Sequence, residues 1–346
     1  MLAAGSVLVE RFVIESLIGL GGMGRVYRAH DRQSGRAVAL KVMLDAAPDS
    51  NDAARFASEI RVLSELAHPG IVAYVAHGST DEGLPFLAME LLEGEDLGAR
   101  LLRAPLSVAE CLVVLRRAAS ALAEAHRRGV VHRDLKPSNL FLRGGALDRL
   151  TLLDFGIARR AGATRALTAT GAIVGTPGYM APEQVEGARD LDPAADVFAL
   201  GCVLYECLAG RPPFAADHLV AALAKILFDD PPPLERARPE IPAPLVALVA
   251  RMLAKAPADR LPDAGAVLDA LDALGEVDDA PAAALPEGLG RGELELVTVI
   301  IASRLARSND ATLAGEIGDE AVRVEAALRP ELAARGASME RLVDGS

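Results

Sequence analysis

The first ninety residues alternate between short apolar runs and turn-forming residues. Short runs rich in Val, Ile and Leu, bounded by Gly, Asp or Pro, are typical of β-strands. Four segments have this pattern: 7–13, 36–43, 71–77 and 85–91. Between the second and third of them, apolar residues recur at 56, 60, 63 and 67, which predicts an amphipathic helix over 51–67.

From about residue 95 the pattern becomes mostly helical. A capping-box sequence at Ser107 begins a predicted long helix that Gly129 ends. Segment 194–208 is apolar nearly all round, so we expect a buried helix. Two further helices are predicted over 245–253 and 264–274. The first 274 residues therefore read as a β-rich part followed by a helical part.

The chain changes character after residue 274. Residues 275–292 are rich in Ala, Pro, Gly and acidic residues and are interpreted as a linker. A strand-like run then opens a second unit, 293–346, which is near the lower size limit for an independent core. We expect two domains, of which the second is partial.

Composition excludes several classes of protein. Of the 346 residues, 51% are hydrophobic, which excludes disorder over the whole length. The net charge of −12 gives no general field for nucleic acid. Apolar stretches such as 296–302 fall far short of the roughly 20 residues of a membrane-spanning helix. The three cysteines form no even framework, which is typical of reduced core residues in a cytoplasmic protein.

A glycine-rich segment with the form GxGxxGxV lies between the first two predicted strands, at 19–26. Glycines let the backbone approach a phosphate closely, and their N–H groups can face the anion. A flexible hairpin explains the segment about equally well. A dinucleotide-binding fold requires a helix at the third glycine, whereas 25–29 is strand-like.

A second candidate is the strand segment Val38-Ala39-Leu40-Lys41. Because side chains alternate along a strand, Ala39 and Lys41 share one face and the remaining side chains share the other. The first face suits a flat ring beside a phosphate, and the second face belongs to the core. The alternative is an edge-strand lysine that faces water. Glu59, at the border of its helix's apolar face, can reach Lys41, although a solvated glutamate is the simpler interpretation.

The most specific motif is His132-Arg133-Asp134-Leu135-Lys136-Pro137-Ser138-Asn139, which matches H-R-D-L-x-x-x-N without a gap. An aspartate five residues before an asparagine can place a carboxylate at a substrate hydroxyl and an amide oxygen on a metal. Asp154-Phe155-Gly156 follows, with a carboxylate suited to Mg²⁺. Ala181-Pro182-Glu183 completes the series.

With these motifs in order, residues 8–274 resemble the eukaryotic-like serine/threonine protein kinases of bacteria. The resemblance implies an α+β, two-lobed protein-kinase fold. Its antiparallel β-rich N-lobe would span 8–90, its hinge 90–92 and its mainly helical C-lobe 93–274. The implied function is ATP- and Mg²⁺-dependent phosphoryl transfer to Ser/Thr hydroxyls of proteins, including autophosphorylation, in bacterial signal transduction.

The resemblance also implies roles for single residues. Asp134 would accept the substrate hydroxyl proton, Lys136 would neutralise the transferred phosphoryl group, and Asn139 and Asp154 would hold Mg²⁺. Lys41 would bind the α- and β-phosphates and pair with Glu59. The implied ATP-binding set is Gly19, Leu20, Gly21, Gly24, Val26, Ala39, Lys41, Glu59, Met89, Glu90, Leu92 and Phe141.

Regulatory and structural residues follow from the same resemblance. Arg133 implies control by a phosphorylated activation segment, in which we expect Thr168 and Thr170 to be autophosphorylated. Thr176, like Lys136, goes with Ser/Thr acceptors and would position the substrate. Three residues would be structural. Glu183 would pair with Arg260, and Asp196 would anchor the backbone of the 132–134 turn.

The tail 293–346 resembles the opening of a class III nucleotide-cyclase-like domain, a partial α/β segment. Ala302 and Ser303 stand where the active pattern needs a metal-binding aspartate, so we expect no cyclase activity. We expect this domain to be truncated, because the chain ends where its next strand would begin.

Two rival functions differ from the kinase interpretation. A pseudokinase scaffold usually lacks one of Lys41, Asp134, Asn139 or Asp154, and none is lost here. A small-molecule kinase is disfavoured by the Ala-Pro-Glu segment and the long activation loop. The expected partners are protein substrates, ATP and a second kinase copy for trans-autophosphorylation, with no nucleic acid and no membrane segment.

Overall fold

A six-stranded antiparallel sheet forms the first lobe of the molecule. In this computed structural model, the structure describes residues 2–21, 24–43, 64–155, 177–188, 190–216 and 218–275. The sheet order is β1-β2-β3-β4-β6-β5. Its strands are β1 Val7–Leu8, β2 Phe12–Gly21, β3 Gly24–Asp31, β4 Arg36–Met43, β5 Tyr74–Ser79 and β6 Pro85–Glu90.

Two predicted strands differ from the observed ones. Segment 7–13 is two strands joined by a turn, because Val9 and Glu10 have φ angles of 44° and 58° that end β1. The strand predicted over 71–77 begins only at Tyr74. Ile71 instead forms an isolated bridge with Leu152 and packs in the larger core of the other lobe. The strand predicted over 36–43 is observed as β4, and that over 85–91 as β6.

The two faces of β4 have the predicted division of roles. Val38, Leu40 and Val42 lie in the sheet's hydrophobic core, where Phe12 and Phe86 meet edge to face with 5.8 Å between ring centroids. Ala39 and Lys41 lie on the opposite face, since side chains alternate along a strand. This sheet forms the N-lobe, and the face that carries Ala39 and Lys41 is turned away from the N-lobe core.

The second lobe is mainly helical, with a small antiparallel sheet of order β7-β8-β9. Its strands are β7 Gly94–Asp96, β8 Leu140–Arg143 and β9 Leu150–Leu152. Its helices are α1 Leu97–Arg103, α2 Val108–Arg127, α3 Pro182–Val185, α4 Ala194–Ala209, α5 Leu219–Phe228, α6 Leu234–Ala237, α7 Ala243–Met252 and α8 Ala264–Leu274. In the described ranges no helix is both long and apolar enough to cross a membrane.

The helical predictions for this lobe are confirmed. The Ser107 hydroxyl accepts from Glu110 N at 3.2 Å and the Glu110 carboxylate accepts from Ser107 N at 2.8 Å, which is the predicted capping box of α2. Helix α4 is buried along nearly its whole length and packs against α2, α7 and α8. A β-rich N-lobe joined at 91–93 to a helical C-lobe confirms the predicted two-lobed fold.

An ion pair closes the N-lobe at the β3–β4 turn. Arg11 Nε donates to Asp31 at 2.7 Å, and the Ser34 hydroxyl and Gln33 N–H donate to the same carboxylate. The Arg11 hydrogen bond holds the pKa of Asp31 well below its usual range, although burial acts in the opposite direction. The ionised carboxylate is therefore favoured in the folded state.

We expect Asp31→Asn to lower the free energy of unfolding by about 3 kcal/mol at neutral pH, because it leaves Arg11 without its buried partner. A carboxyl with a lowered folded-state pKa stabilises the fold above its unfolded pKa of about 3.9, and the contribution is lost as pH falls. The gap between wild type and variant should therefore shrink below about pH 4. Urea denaturation across pH measures it.

Glu15→Gln provides the matched control. Glu15 pairs with Arg28 at 2.6 Å in the same sheet, but both side chains are well exposed, at 40% and 46%. Exposed pairs of this kind contribute about 0–1 kcal/mol. A loss from Asp31→Asn no larger than that from Glu15→Gln would contradict the assigned role of Asp31.

Candidate active site

A buried histidine ties the 132–139 loop to the end of β9. His132 Nε2 donates to the Leu153 carbonyl oxygen at 2.8 Å, so its Nδ1 is free to accept from Asp134 N at 3.4 Å. The His132 ring also packs on Phe155, with 4.6 Å between ring centroids. One side chain thus ties the backbone at Asp134 to the two residues that flank Asp154.

Asp196, on the buried helix α4, anchors the same loop through its carboxylate. Its carboxylate accepts from His132 N at 2.6 Å, from Arg133 N at 2.8 Å and from His126 Nε2 at 2.9 Å. Burial alone would raise the pKa of Asp196, but the hydrogen bond and charge of His126 and the contacts of His132 outweigh it and lower that pKa. The geometry matches the anchoring expected for this residue.

Two polar side chains of the loop, Lys136 and Asn139, converge on the carboxylate of Asp134. Lys136 Nζ lies 3.1 Å from Asp134 Oδ2, and Asn139 Nδ2 donates to the same oxygen at 3.2 Å and to the Asp134 carbonyl at 2.6 Å. Because the Asn139 amide nitrogen is used here, its oxygen is the atom available to a cation. The Asp134 side chain is therefore held in one orientation.

Asp154 and Lys41 form a contact between the two lobes next to the 132–139 loop. Lys41 Nζ lies 2.8 Å from Asp154 Oδ1, with both side chains partly buried. Asp154 follows Leu153, whose N–H donates to the Asn139 carbonyl at 2.9 Å. Lys41 of the N-lobe, Asp154 and Asn139 of the 132–139 loop are thus neighbours.

The backbone is strained at two of these positions. Arg133 and Asp154 have φ angles of 67° and 47°, a left-handed region that non-glycine residues seldom adopt. Such residues persist only where the surroundings hold them, and they concentrate at functional sites. Here the hydrogen bonds from Arg133 N to Asp196 and from Leu153 N to Asn139 hold them.

The sheet face opposite the N-lobe core carries the predicted nucleotide-binding residues. Val26 is directly paired with Lys41, and Ala39 with Met89, and such cross-strand partners share a face. Ala39 and Lys41 are two residues apart on one strand, so all four side chains lie on the same face. Leu20 is highly exposed at the end of β2, and Phe141 lies half-buried on β8.

The neighbouring strands do not constrain the glycines of the motif equally. A side chain at Gly24 would place its Cβ 2.5 Å from the Val42 carbonyl oxygen, so Gly24 is required by the close approach of β3 to β4. A Cβ at Gly19 would make only ordinary contact with Val26, at 3.5 Å. Gly21 ends β2 opposite Gly24, which identifies the segment as a hairpin in which strands flank the motif.

The hinge is held by a residue that the sequence analysis did not single out. Arg143 on β8 forms two 2.9 Å hydrogen bonds with Glu90 at the end of β6, and its Nε donates to Thr151. Leu92 lies in the connection that follows. The only signal in the sequence for this contact is a basic residue at the end of a short strand.

The Ala-Pro-Glu segment is bound to the helical lobe by the pair expected between Glu183 and Arg260. Two guanidinium nitrogens of Arg260 donate to the two Glu183 oxygens at 2.8 Å each. Next to it, Gln184 Nε2 donates to the Arg133 carbonyl at 2.9 Å. This segment therefore contacts the 132–139 loop directly.

Some predicted residues lie outside the described ranges. They are Glu59, Thr168, Thr170, Thr176 and Gly156, together with the whole of 276–346. The expected Lys41–Glu59 pair and the assignment of the tail therefore remain predictions.

The donor set fits Mg²⁺ bound with a nucleotide. Mg²⁺ prefers one or two carboxylates plus substrate phosphates and waters over a cage made by the protein. Asp154 and Asn139 supply one carboxylate and one amide oxygen, and the described part of the chain contains no group of three metal-ligating side chains of the His, Cys, Asp or Glu type. Lys41 and Lys136 supply point charges of the sign that phosphates require.

These features define the site of a protein kinase, and comparison with known proteins agrees. Residues 12–270 match the protein kinase domain family, so the chain belongs to that family. It is 38% identical over 290 residues to serine/threonine-protein kinase pkn3 of Myxococcus xanthus, an alignment that covers 80% of this chain and 53% of that protein.

A second relative and a solved structure extend the comparison. Serine/threonine-protein kinase PknA of Mycobacterium tuberculosis is 38% identical over 276 residues, which cover 78% of this chain and 62% of PknA. The crystal structure of the M. tuberculosis PknI kinase domain superposes with a TM-score of 0.63 at 32% identity, over 79% of this chain and 99% of that one. The chain spans about half the length of the curated relatives it matches.

Proposed function

We propose that this chain is an active serine/threonine protein kinase that transfers the γ-phosphoryl group of ATP to Ser or Thr hydroxyls of proteins. The observation that carries the proposal is the juxtaposition of Asp134, Lys136 and Asn139 with Asp154, which Lys41 reaches from the other lobe at 2.8 Å. A scaffold without transfer activity needs no such convergence of charged groups.

Each residue has a distinct task in this proposal. Asp134, oriented by Lys136 and Asn139, accepts the proton of the substrate hydroxyl. Lys136 and Lys41 neutralise charge on the phosphates. Asn139 and Asp154 hold Mg²⁺, which when bound supplies further neutralisation of phosphate charge.

Nucleotide binding is assigned to the second face of the N-lobe sheet and to the hinge. Ala39, Val26 and Met89 contribute small and apolar surface beside Lys41, which suits a purine ring next to a phosphate chain. The backbone at Glu90 and Leu92 contacts the ring edge, and Phe141 packs from the other lobe. Gly19, Leu20, Gly21 and Gly24 cover the phosphates.

The test is transfer of label from [γ-³²P]ATP in the presence of Mg²⁺, with wild type beside Asp134→Asn. We expect labelled phosphoserine or phosphothreonine with wild type, and a loss of about 10²–10⁴-fold with the variant, which removes the proton acceptor but preserves its size. Equal labelling by both proteins, or labelling of tyrosine alone, would refute the proposed function.

Autophosphorylation of Thr168 and Thr170 is the regulatory part of the proposal. A phosphate adds about −1.5 to −2 charges and can pair with Arg133, which lies next to Asp134. We expect mass spectrometry of active protein to find phosphate on at least one of the two, and a Thr168→Ala/Thr170→Ala variant to lose activity. Full activity of that variant would contradict the assignment. Thr176 is not part of this switch, and we propose that it positions the substrate.

The proposal extends to the wider setting of the kinase. Protein substrates, a second copy of the kinase for trans-autophosphorylation and a cytoplasmic location are proposed, the last because Cys111, Cys202 and Cys207 are buried and unbridged. For 293–346 we retain the hypothesis of a cyclase-like segment without cyclase activity.

A further inference from the structure

A cavity lies on the C-lobe, and none of the proposed catalytic residues line it. Its volume is about 470 Å³, and it is bounded by the residues before β5, by α2 and by the β8–β9 turn. This size falls within the range of about 300–1,000 Å³ that small-molecule sites occupy. Side chains from all three elements line it, including His68, Ser120 and Arg149.

The wall of this cavity is basic, although the whole chain carries a net charge of −12. Arg117, Arg143 and Arg149 line it, against the single acid Asp148. Arg143 is already engaged by Glu90. Arg117 and Arg149 are exposed and have no ion-pair partner within the described part of the chain, so their charges are available to a ligand.

The polar groups at the base of the cavity are arranged to donate. Gly70 N donates to His68 Nδ1 at 3.0 Å, so the proton of a neutral ring is on Nε2, which lies 3.2 Å from the Ser120 hydroxyl oxygen. Ser120 therefore accepts from His68, and its own hydroxyl proton can point to a ligand. Burial, followed by the charges of Arg117 and Arg127, lowers the pKa of His68, as expected beside a positive wall.

We propose that this cavity binds a small phosphate-bearing molecule. Two arginine forks and one hydroxyl, contributed by α2 and the β8–β9 turn, match the several acceptor oxygens of a phosphate group. The remaining volume and the side chain of Pro69 provide room and an apolar wall for the organic part. None of the residues that line this cavity belongs to the proposed catalytic or ATP-binding set.

Calorimetric titration with inorganic phosphate and with glycerol phosphate tests the proposal. The kinase is first saturated with Mg²⁺ and an ATP analogue that cannot transfer its phosphoryl group, so that the cleft is blocked. We expect saturable binding to wild type, weakened at least about tenfold in Arg117→Gln/Arg149→Gln. Both replaced residues are exposed, so the variant should fold normally.

The matched control is Arg116→Gln/Arg28→Gln, which removes two exposed arginines that pair with Asp272 and Glu15 away from the cavity. It should bind phosphate as wild type does. The His68 ring resonances should shift with phosphate in wild type and in the control, but not in Arg117→Gln/Arg149→Gln.

Three results would overturn the inference. They are no saturable binding to wild type, equal weakening in both double variants, and binding of malonate as tight as that of phosphate. The last result would show that the cavity selects negative charge and not the phosphate group.

Discussion

Replacing Lys41 with methionine is expected to reduce phosphoryl transfer by about 10²–10³-fold while leaving the fold intact. Methionine preserves most of the length and the apolar stem of the side chain but removes the charge that reaches Asp154 at 2.8 Å. In the proposed mechanism that charge also neutralises the phosphates of ATP. Initial rates with labelled ATP, together with melting temperatures, measure the two parts of this expectation.

Two further variants separate the position of this charge from its presence. Lys41→Arg retains the charge but replaces a compact ammonium with a planar guanidinium, so we expect most of the activity to be lost as well. Lys225→Met removes a lysine that donates to the Ala215 carbonyl on an exposed surface, and it should keep wild-type rates. A well-folded Lys41→Met protein with near-normal turnover would contradict the assignment of Lys41 to the cleft.

Local chemistry made the elements around Lys41 predictable from the sequence. Alternation along β4 gave the correct division of Val38 and Leu40 from Ala39 and Lys41, because one face of this strand is buried in the N-lobe core. The capping box of α2 and the all-round burial of α4 could also be predicted from the sequence, because each depends on residues that are neighbours along the chain.

Contacts between distant residues were not predictable in the same way. Spacing alone gave no sign that Lys41 contacts Asp154 or that Arg143 holds Glu90. The same holds for His126, which donates to Asp196 from the last turn of α2. Each contact joins residues at least 50 positions apart, so it is set by how the lobes and helices pack and not by a local pattern.

One of the two strand errors has the same origin. Ile71 is a residue type that favours strands, but it forms a bridge with Leu152 and packs in the C-lobe core instead of extending β5. The other error is local: β1 pairs with β2 as a tight hairpin, and its turn puts Val9 and Glu10 at positive φ angles that such residues seldom adopt.

Arg260→Ala is expected to lower the free energy of unfolding of the C-lobe by about 3–5 kcal/mol. The Arg260 side chain is 0% exposed, and besides Glu183 it donates to the carbonyls of Ala194, Ala254 and Lys255. Its removal leaves a nearly buried carboxylate and three carbonyl groups without their donor. Urea denaturation followed by circular dichroism measures the loss.

The chain offers a control with the same geometry and different burial. Arg103 also makes a two-pronged contact with its partner Glu95, but its side chain is 62% exposed. Pairs in water contribute about 0–1 kcal/mol, so Arg103→Ala should cost little. Should Arg260→Ala prove insoluble, Glu183→Gln gives a milder test, because the amide oxygen can still accept one hydrogen bond from Arg260.

The loss should extend beyond stability to the catalytic loop. Glu183 lies next to Gln184, whose amide donates to the Arg133 carbonyl, and Arg133 is held at a φ angle of 67°. When Glu183 loses its anchor, the support on one side of that strained turn is weakened, so Glu183→Gln should reduce the rate of transfer even at temperatures where the protein is fully folded. An unchanged stability in both Arg260→Ala and Glu183→Gln would show that this buried pair does not hold the segment in place.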